Sequence, residues 1–340
     1  MKKYSVAVVG ATGLVGRHML SMLERRNFPV KELFLFASFR SEGKTVLFKQ
    51  TNIQVRELTY ERVNELRECD IALFSAGSSI SKEYASVFAE KGSYVIDNSS
   101  AFRLEKDIPL VVPEVNSHIL SKEKRIISNP NCSTIQMVVV LAPIHRKFKI
   151  KRVVVSTYQS VSGAGQRAVN ELKEQITLIF EGKKVKPNVF PHQIAYNCIP
   201  QIDIFMKNGY TKEEMKMVLE TKKILEDSSV NVTATCVRVP VFVGHSESVN
   251  IETEKQINPD EIRDILSKSP GIQIIDNIEN LKYPMAIESA GKEQTFVGRI
   301  RKDDSIKNGI NLWIVSDNLL KGAALNAVEI AEELIKKTII

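Results

Sequence analysis

The chain has 340 residues, 43% of them hydrophobic, with 47 basic and 40 acidic residues and a formal charge of +7. That length supports two domains with cores of their own. The basic excess is mild and spread out, without a Lys/Arg block, which argues against a nucleic-acid partner and suits an anionic, phosphate-bearing substrate. No segment approaches the ~20 apolar residues of a membrane span, and the apolar run after Met1-Lys2-Lys3 is too short for a signal-peptide core. Cys69, Cys132, Cys198 and Cys236 form neither a CxxC pair nor a metal-ligand spacing. No metal is expected, and a reducing cytoplasm is the simple inference.

Tyr4 to Val9 reads as a strand and Leu14 to Arg25 as a helix. Between them lies Gly10-Ala11-Thr12-Gly13-Leu14-Val15-Gly16, a glycine loop in the strand-to-helix setting that a dinucleotide pyrophosphate requires. Its spacing is GxxGxxG rather than GxGxxG. The second strand, Leu33 to Ala37, ends in Ser38-Phe39-Arg40-Ser41. An NAD site usually has an acid there for the ribose hydroxyl. Arginine and hydroxyls suit a 2′-phosphate instead, so NADP is the expected cofactor; Glu42 is a mild counter-signal. Asp70 to Phe74 and Tyr94 to Ile96 read as further strands, with a helix at Lys82 to Glu90. This alternation predicts a doubly wound parallel sheet of the Rossmann type over residues 1–130.

Asn129-Pro130-Asn131-Cys132-Ser133 marks a turn running into a helical segment, Ile135 to Ile144. A cysteine at a helix start meets unpaired N–H groups and the positive end of the helix dipole, which favour the thiolate. Beside a nucleotide loop, such a cysteine suggests thioester redox chemistry on an aldehyde or acyl group.

From Lys151 onward the texture changes, and residues 131–317 are expected to form an α+β domain. Strands are read at Arg152 to Tyr158, Val230 to Val243, Ser248 to Thr253, Gln294 to Ile300 and Asn311 to Ser316. Helices are read at Ala168 to Phe180 and Lys212 to Leu225. The expectation is a mixed, largely antiparallel sheet. A terminal amphipathic helix within 318–340 is expected to pack back on the first domain.

Three stretches hold polar residues where apolar ones would be expected: Asp97 to Arg103, Thr157 to Gly165, and Arg238 to Ser248. Singly each has a bland explanation. Arg103 could be a surface charge, Gln159 a loop amide, and His245 a satisfied core histidine. Together with the cysteine box they carry a resemblance. GATGLVG, SSAFR, SNPNCST, QSVSGAG, RVPVFVGHSE and SDNLLKGAALNA, in that order, resemble the aspartate-β-semialdehyde dehydrogenase family in its shorter bacterial branch.

The resemblance implies reductive dephosphorylation of L-aspartyl-4-phosphate to L-aspartate-4-semialdehyde with NADPH. The product would serve lysine, diaminopimelate, threonine, methionine and isoleucine synthesis. It gives Cys132 as the acylated nucleophile, His245 as acid/base and Gln159 as the group orienting the acyl intermediate. Arg238 would clamp the substrate α-carboxylate and Glu213 would meet its ammonium. Arg103, Lys216 and Asn131 would bind phosphate. Gly10, Thr12, Gly13, Leu14, Val15, Arg40, Ser41, Ser162, Gly163 and Asn318 would contact NADP. The second domain would be the catalytic and dimerisation domain of a homodimer. Other readings stay open at this point: N-acetyl-γ-glutamyl-phosphate reductase, a glyceraldehyde-3-phosphate dehydrogenase-type enzyme, and a non-enzymatic NADP-binding sensor.

Overall fold

Strand β1 (Tyr4–Val9) is buried at every residue, on both faces. That is the signature of a central strand in a sheet covered on both sides, and Val6, Ala7, Val8 and Val9 meet its demand for small or β-branched apolar residues. The structure, a computed structural model, describes residues 2–340. It divides into two compact units, one ending at Asn131 and resuming at Ala323, the other running from Cys132 to Gly322.

In the first unit, α1 (Leu14–Arg25) follows β1, then β2 (Val30–Ala37), β3 (Thr45–Phe48) and β4 (Thr51–Glu57). Next come α2 (Tyr60–Asn64), β5 (Ile71–Phe74), α3 (Ser78–Glu90), β6 (Tyr94–Asp97), α4 (Pro113–Asn116) and β7 (Ile126–Ser128). The sheet order is β3-β4-β2-β1-β5-β6-β7. Every pair is parallel except the β3–β4 hairpin at one edge. The sequence reading has neither strand of that hairpin. Its turn, Lys49-Gln50, takes positive φ at both residues, 45° and 65°, without the Asn or Gly that would announce it. Helix α1 buries Met19, Leu20, Met22 and Leu23 along one stripe. Each contributes about 1.5–3 kcal/mol of burial, so a charge at Leu23 would unseat the helix that follows the glycine loop.

The second unit opens with α5 (Cys132–Phe148), β8 (Ile150–Gln159), α6 (Gln166–Phe180) and α7 (Lys212–Ile224). It continues through β9 (Asn231–Arg238), β10 (His245–Thr253), α8 (Pro259–Ser267), β11 (Ile272–Ile274), α9 (Ala286–Ser289), β12 (Thr295–Asp303) and β13 (Gly309–Ser316). The order β11-β12-β13-β10-β8-β9 mixes three antiparallel pairs with parallel pairs at both ends. Alternation puts Val153, Val155, Val249, Ile251, Leu312 and Ile314 on one face, in a core shared with Met137, Val140 and Leu141 of α5.

The expected strand from Val230 to Val243 is corrected: β9 stops at Arg238 and the next six residues form a loop. Pro240 lacks the N–H that would continue the ladder. The loop is tied to the turn after β8 instead, through Val161 N–H to Val241 O and Ser162 N–H to Phe242 O.

The chain resumes in the first unit with α10 (Leu325–Lys336), which packs on α1, α4 and β6. Before it, residues Leu320–Ala324 form a π-helical segment, so the terminal helix is not the uninterrupted α-helix the periodicity predicts. Among the described residues no helix is long and apolar enough to cross a membrane.

Candidate active site

In the second unit, the ends of three neighbouring strands bring polar residues onto the face that α5 covers. Gln159 of β8 pairs with Arg238 of β9, and His245 of β10 pairs with Ser316 of β13. Arg238, Gln159 and His245 are all buried. Arg238 therefore is no rim charge: burial works against its guanidinium, with Glu213 and Cys132 the leading charges that favour it. Its Nη1 donates to Ser160 O at 2.7 Å.

His245 is held from one side only. Ser160 N–H donates to Nδ1 at 3.0 Å, and Ser160 Oγ lies 3.1 Å from the same atom. The neutral ring then carries its proton on Nε2. That nitrogen is buried without a hydrogen-bond partner among the described residues. Burial first, then the Arg238 charge, lowers the His245 pKa to about 3. A buried donor left without a protein partner costs free energy unless a ligand supplies the acceptor.

Gly163 explains why that edge of the ring stays open. A Cβ at this position would come within 3.0 Å of Arg238 Nη1 and 3.3 Å of His245 Nε2. Asn318 braces the same turn: its Oδ1 accepts from Ser160 Oγ, Ser162 Oγ and Gly244 N–H at 3.0, 3.2 and 2.9 Å. The side chains of Ser162 and Asn318, expected at the cofactor, are thus engaged with each other and with the His245 scaffold.

Cys132 is the first residue of α5 and is partly exposed, whereas Cys69 and Cys236 are buried and Cys198 is exposed. Burial pushes the Cys69 thiol up to about 11 and raises Cys236 further. A Cβ on Gly322 would lie 2.9 Å from Cys132 Cβ, so the π-helical segment packs directly on the cysteine. One turn along α5, Gln136 Nε2 donates to His245 O at 3.4 Å.

Glu213 enters from α7, whose start is set by a Thr211–Glu214 capping box. Gln159 Nε2 donates to Glu213 Oε1 at 3.1 Å, and Lys216 Nζ pairs with Glu213 Oε2 at 3.0 Å. Lys216 also pairs with Asp203 at 3.0 Å. Burial alone would lower its pKa, but the two carboxylates leave it raised. The sequence reading gives these two residues to separate substrate groups; in the structure they are ion-paired to each other.

In the first unit, Arg103 is buried rather than a surface charge. It donates to Asn129 O and Asn98 O, each at 2.9 Å. Asn131 is buried two residues beyond Asn129. At the glycine loop, Gly10 has φ 88°, and a Cβ on Gly16 would meet Gly10 O at 2.2 Å. The helix therefore approaches the loop closely. Gly13 precedes Leu14 and Val15 at the α1 start without a side-chain cap, which leaves N–H groups there for an anion.

Thr12 Oγ1 and Ser41 Oγ lie 3.2 Å apart. Arg40 is exposed in the turn Phe39–Ser41. Glu42, the counter-signal, is engaged elsewhere: Arg62 donates to it at 2.6 Å, the Glu57 N–H does so too, and these contacts lower its pKa. The residues at this strand end fit a phosphorylated ribose better than a free diol.

Sequence reasoning missed Ser160, Gly322 and Gln136. Ser160 sits inside a quoted motif, but its backbone does the work, and no side-chain pattern reports that.

Residues 5–123 match the family described as "Semialdehyde dehydrogenase, NAD binding domain", and residues 141–321 match "Semialdehyde dehydrogenase, dimerisation domain". The chain is similar to the protein named aspartate-semialdehyde dehydrogenase of Aquifex aeolicus (strain VF5), at 57% identity over 340 residues and 99% of both chains. Among solved structures it is similar to aspartate semialdehyde dehydrogenase II of Vibrio cholerae complexed with ASA. That match has a TM-score of 0.95 and 49% identity over 99% of each chain. It is also similar to the Candida albicans aspartate semialdehyde dehydrogenase with NADP, at TM-score 0.77 and 27% identity over 100% of each chain.

Proposed function

The chain belongs to the semialdehyde dehydrogenase family, and we propose that it is an NADP-dependent aspartate-semialdehyde dehydrogenase making L-aspartate-4-semialdehyde from L-aspartyl-4-phosphate. The observation that carries this reading is the buried row of Arg238, Gln159 and His245 on the sheet face covered by α5, the helix that Cys132 opens. An acyl-transfer enzyme needs a nucleophile, a hydrogen-bond donor for the oxyanion and a carboxylate clamp held rigidly in this way. A non-enzymatic sensor has no use for a buried, unpartnered His245 Nε2.

Cys132 Sγ, as a thiolate at a helix start, attacks the acyl carbon, and phosphate leaves as the thioester forms. NADPH, when bound, supplies the hydride that reduces the thioester. His245, neutral, donates a hydrogen bond from Nε2–H to the developing oxyanion and holds it until the tetrahedral oxyanion collapses to the aldehyde and Cys132 departs as the thiolate. Gln159 orients the acyl group, and Arg238 holds the α-carboxylate through its planar fork. Glu213 faces the α-ammonium, with Lys216 fixing its carboxylate. Arg103, Asn131 and Lys216 are assigned to phosphate. Gly10, Thr12, Gly13, Leu14 and Val15 would hold the cofactor pyrophosphate, and Arg40 and Ser41 its 2′-phosphate. Ser162, Gly163 and Asn318 would also contact the cofactor.

The dimerisation-domain match supports a homodimer. So does the outer face of the second sheet, where Tyr158 packs against Trp313 near a cavity of about 500 Å³ lined by Ser246, Arg299 and Arg301. The assay that tests the function is reduction of NADP with aspartate semialdehyde. It should require inorganic phosphate, and turnover that ignores phosphate would refute the reading.

A further inference from the structure

Glu247 is a fully buried carboxyl that the reaction above does not use. It lies two residues from His245 on the same face of β10, about 7 Å along the strand. Its cross-strand neighbours are Thr157 on β8 and Ile314 on β13, with Cys236 of β9 beyond Thr157. It therefore occupies the row directly behind Arg238, Gln159 and His245.

Two observations make the position unusual. Neither Glu247 carboxyl oxygen has a hydrogen-bond partner of good geometry among the described residues, and neither has Gln136 Oε1. Burial pushes the Glu247 acid well above the usual carboxylate range, opposed only by the nearby Gln136 amide. Gln136 is four residues after Cys132, hence on the same helix face, and its Nε2 already donates to His245 O. Buried acceptors left without a donor, on two residues that pack near each other, are costly. A proton on Glu247 turns them into a donor and an acceptor.

We propose that Glu247 is a positioning residue whose carboxyl proton bonds Gln136 Oε1, tying the strand that carries His245 to the helix that carries Cys132. The titratable and charged groups near this pair are His245 on β10, Cys236 and Arg238 on β9, Cys132 on α5, and Glu213 and Glu214 on α7. Arg238, the one cation among them, sits in the row in front and does not act to lower the Glu247 acid.

The inference rests on the dehydrogenase reading for its kinetic consequence, but its first test does not. Infrared difference spectra of wild type against Glu247→Gln, at neutral pH without substrate, should show a protonated carboxylic acid band in wild type alone. No such difference would overturn the proposal, whatever the chain's activity.

Kinetically, Glu247→Leu should lower kcat about tenfold to a hundredfold, with the KM for aspartate semialdehyde and for phosphate little changed. Glu247→Gln, which can still donate to Gln136, should restore kcat to within roughly threefold of wild type and keep its pH profile. Gln136→Leu should reproduce the Glu247→Leu loss, and the double variant should add little to either. If Glu247→Leu does not fold, Gln136→Leu carries the test through the same kcat-specific loss. Equal impairment of Glu247→Gln and Glu247→Leu would mean that the charge matters, and an unimpaired Gln136→Leu would remove the tie. Either result would overturn the proposal. A wild-type chain without dehydrogenase activity would instead refute the function while leaving the infrared result standing.

Discussion

The Ser160 N–H donates to Nδ1 of His245 at 3.0 Å. A nitrogen that accepts this bond cannot carry the proton, so the ring presents Nε2–H to its unpartnered side. One backbone amide thereby fixes the tautomer of the residue assigned to the developing oxyanion.

The first prediction concerns that ring's titration. Burial and Arg238 hold the folded pKa at about 3, against an ordinary 6.5. Between those values the unfolded chain binds the extra proton, so stability from this group is fully present above the ordinary pKa. It is lost as pH falls toward the folded value. Nitrogen NMR should find His245 neutral with Nε2 protonated between about pH 5 and 7. Unfolding midpoints should fall with pH over that window, less steeply in His245→Gln. A ring titrating at its ordinary value would contradict the arrangement.

Cofactor choice is the second. With Glu42 drawn off by Arg62, Arg40 is the charge assigned to the 2′-phosphate. Arg40→Ala should weaken NADPH by about tenfold to a hundredfold, the worth of a charged hydrogen bond, and leave NADH nearly unchanged. Equal losses for both cofactors would remove Arg40 from that role.

Glu213 makes the third. Its carboxylate lies between Gln159 and Lys216. An N-acetylated substrate offers it no ammonium and adds bulk; with Lys216 still paired to the carboxylate, the lost charged hydrogen bond is worth ~1.5–3 kcal/mol, about tenfold to a hundredfold in discrimination before the steric cost. Aspartate semialdehyde should be oxidised efficiently and N-acetylglutamate semialdehyde hardly at all. Glu213→Gln should narrow the gap by harming the true substrate. Similar specificity constants in wild type would favour the N-acetyl-γ-glutamyl-phosphate reductase reading.

Gly163 provides the fourth. A methyl group there would press on both Arg238 and His245. A displacement on the order of 1 Å can cost about a hundredfold in rate, so Gly163→Ala, which adds a smaller push, should lose roughly tenfold in kcat/KM. Its backbone is not left-handed, so thermal stability should hold. A fully active Gly163→Ala enzyme would mean that the ring and guanidinium can yield.

Much of this site was legible in the sequence because its signals are local. The glycine loop between β1 and α1, and the turn before Cys132, declare their geometry through residue type alone. The strand ending in Arg40 needed only a missing acid. What escaped depends on register and backbone. Val239 to Val243 is apolar like a strand, yet Pro240 stops the ladder and the segment bonds to the turn at Val161 and Ser162. The β3–β4 hairpin has an unmarked turn. Ser160 acts through its main chain, and Gly322 through an approach to Cys132 that only the fold creates. Glu247 reads as one more alternating polar residue until β10 is seen to be buried on that face.

The central claim is a thioester on Cys132. Alkylation is a poor probe of it, because Cys198 is exposed and competes for reagent. The direct measurement is mass spectrometry of the enzyme mixed with aspartate semialdehyde and NADP without phosphate. The account predicts a stoichiometric burst of NADPH and an aspartyl adduct on the Cys132 peptide that is discharged when phosphate is added. A burst in Cys132→Ala, or an adduct on any other cysteine, would contradict it.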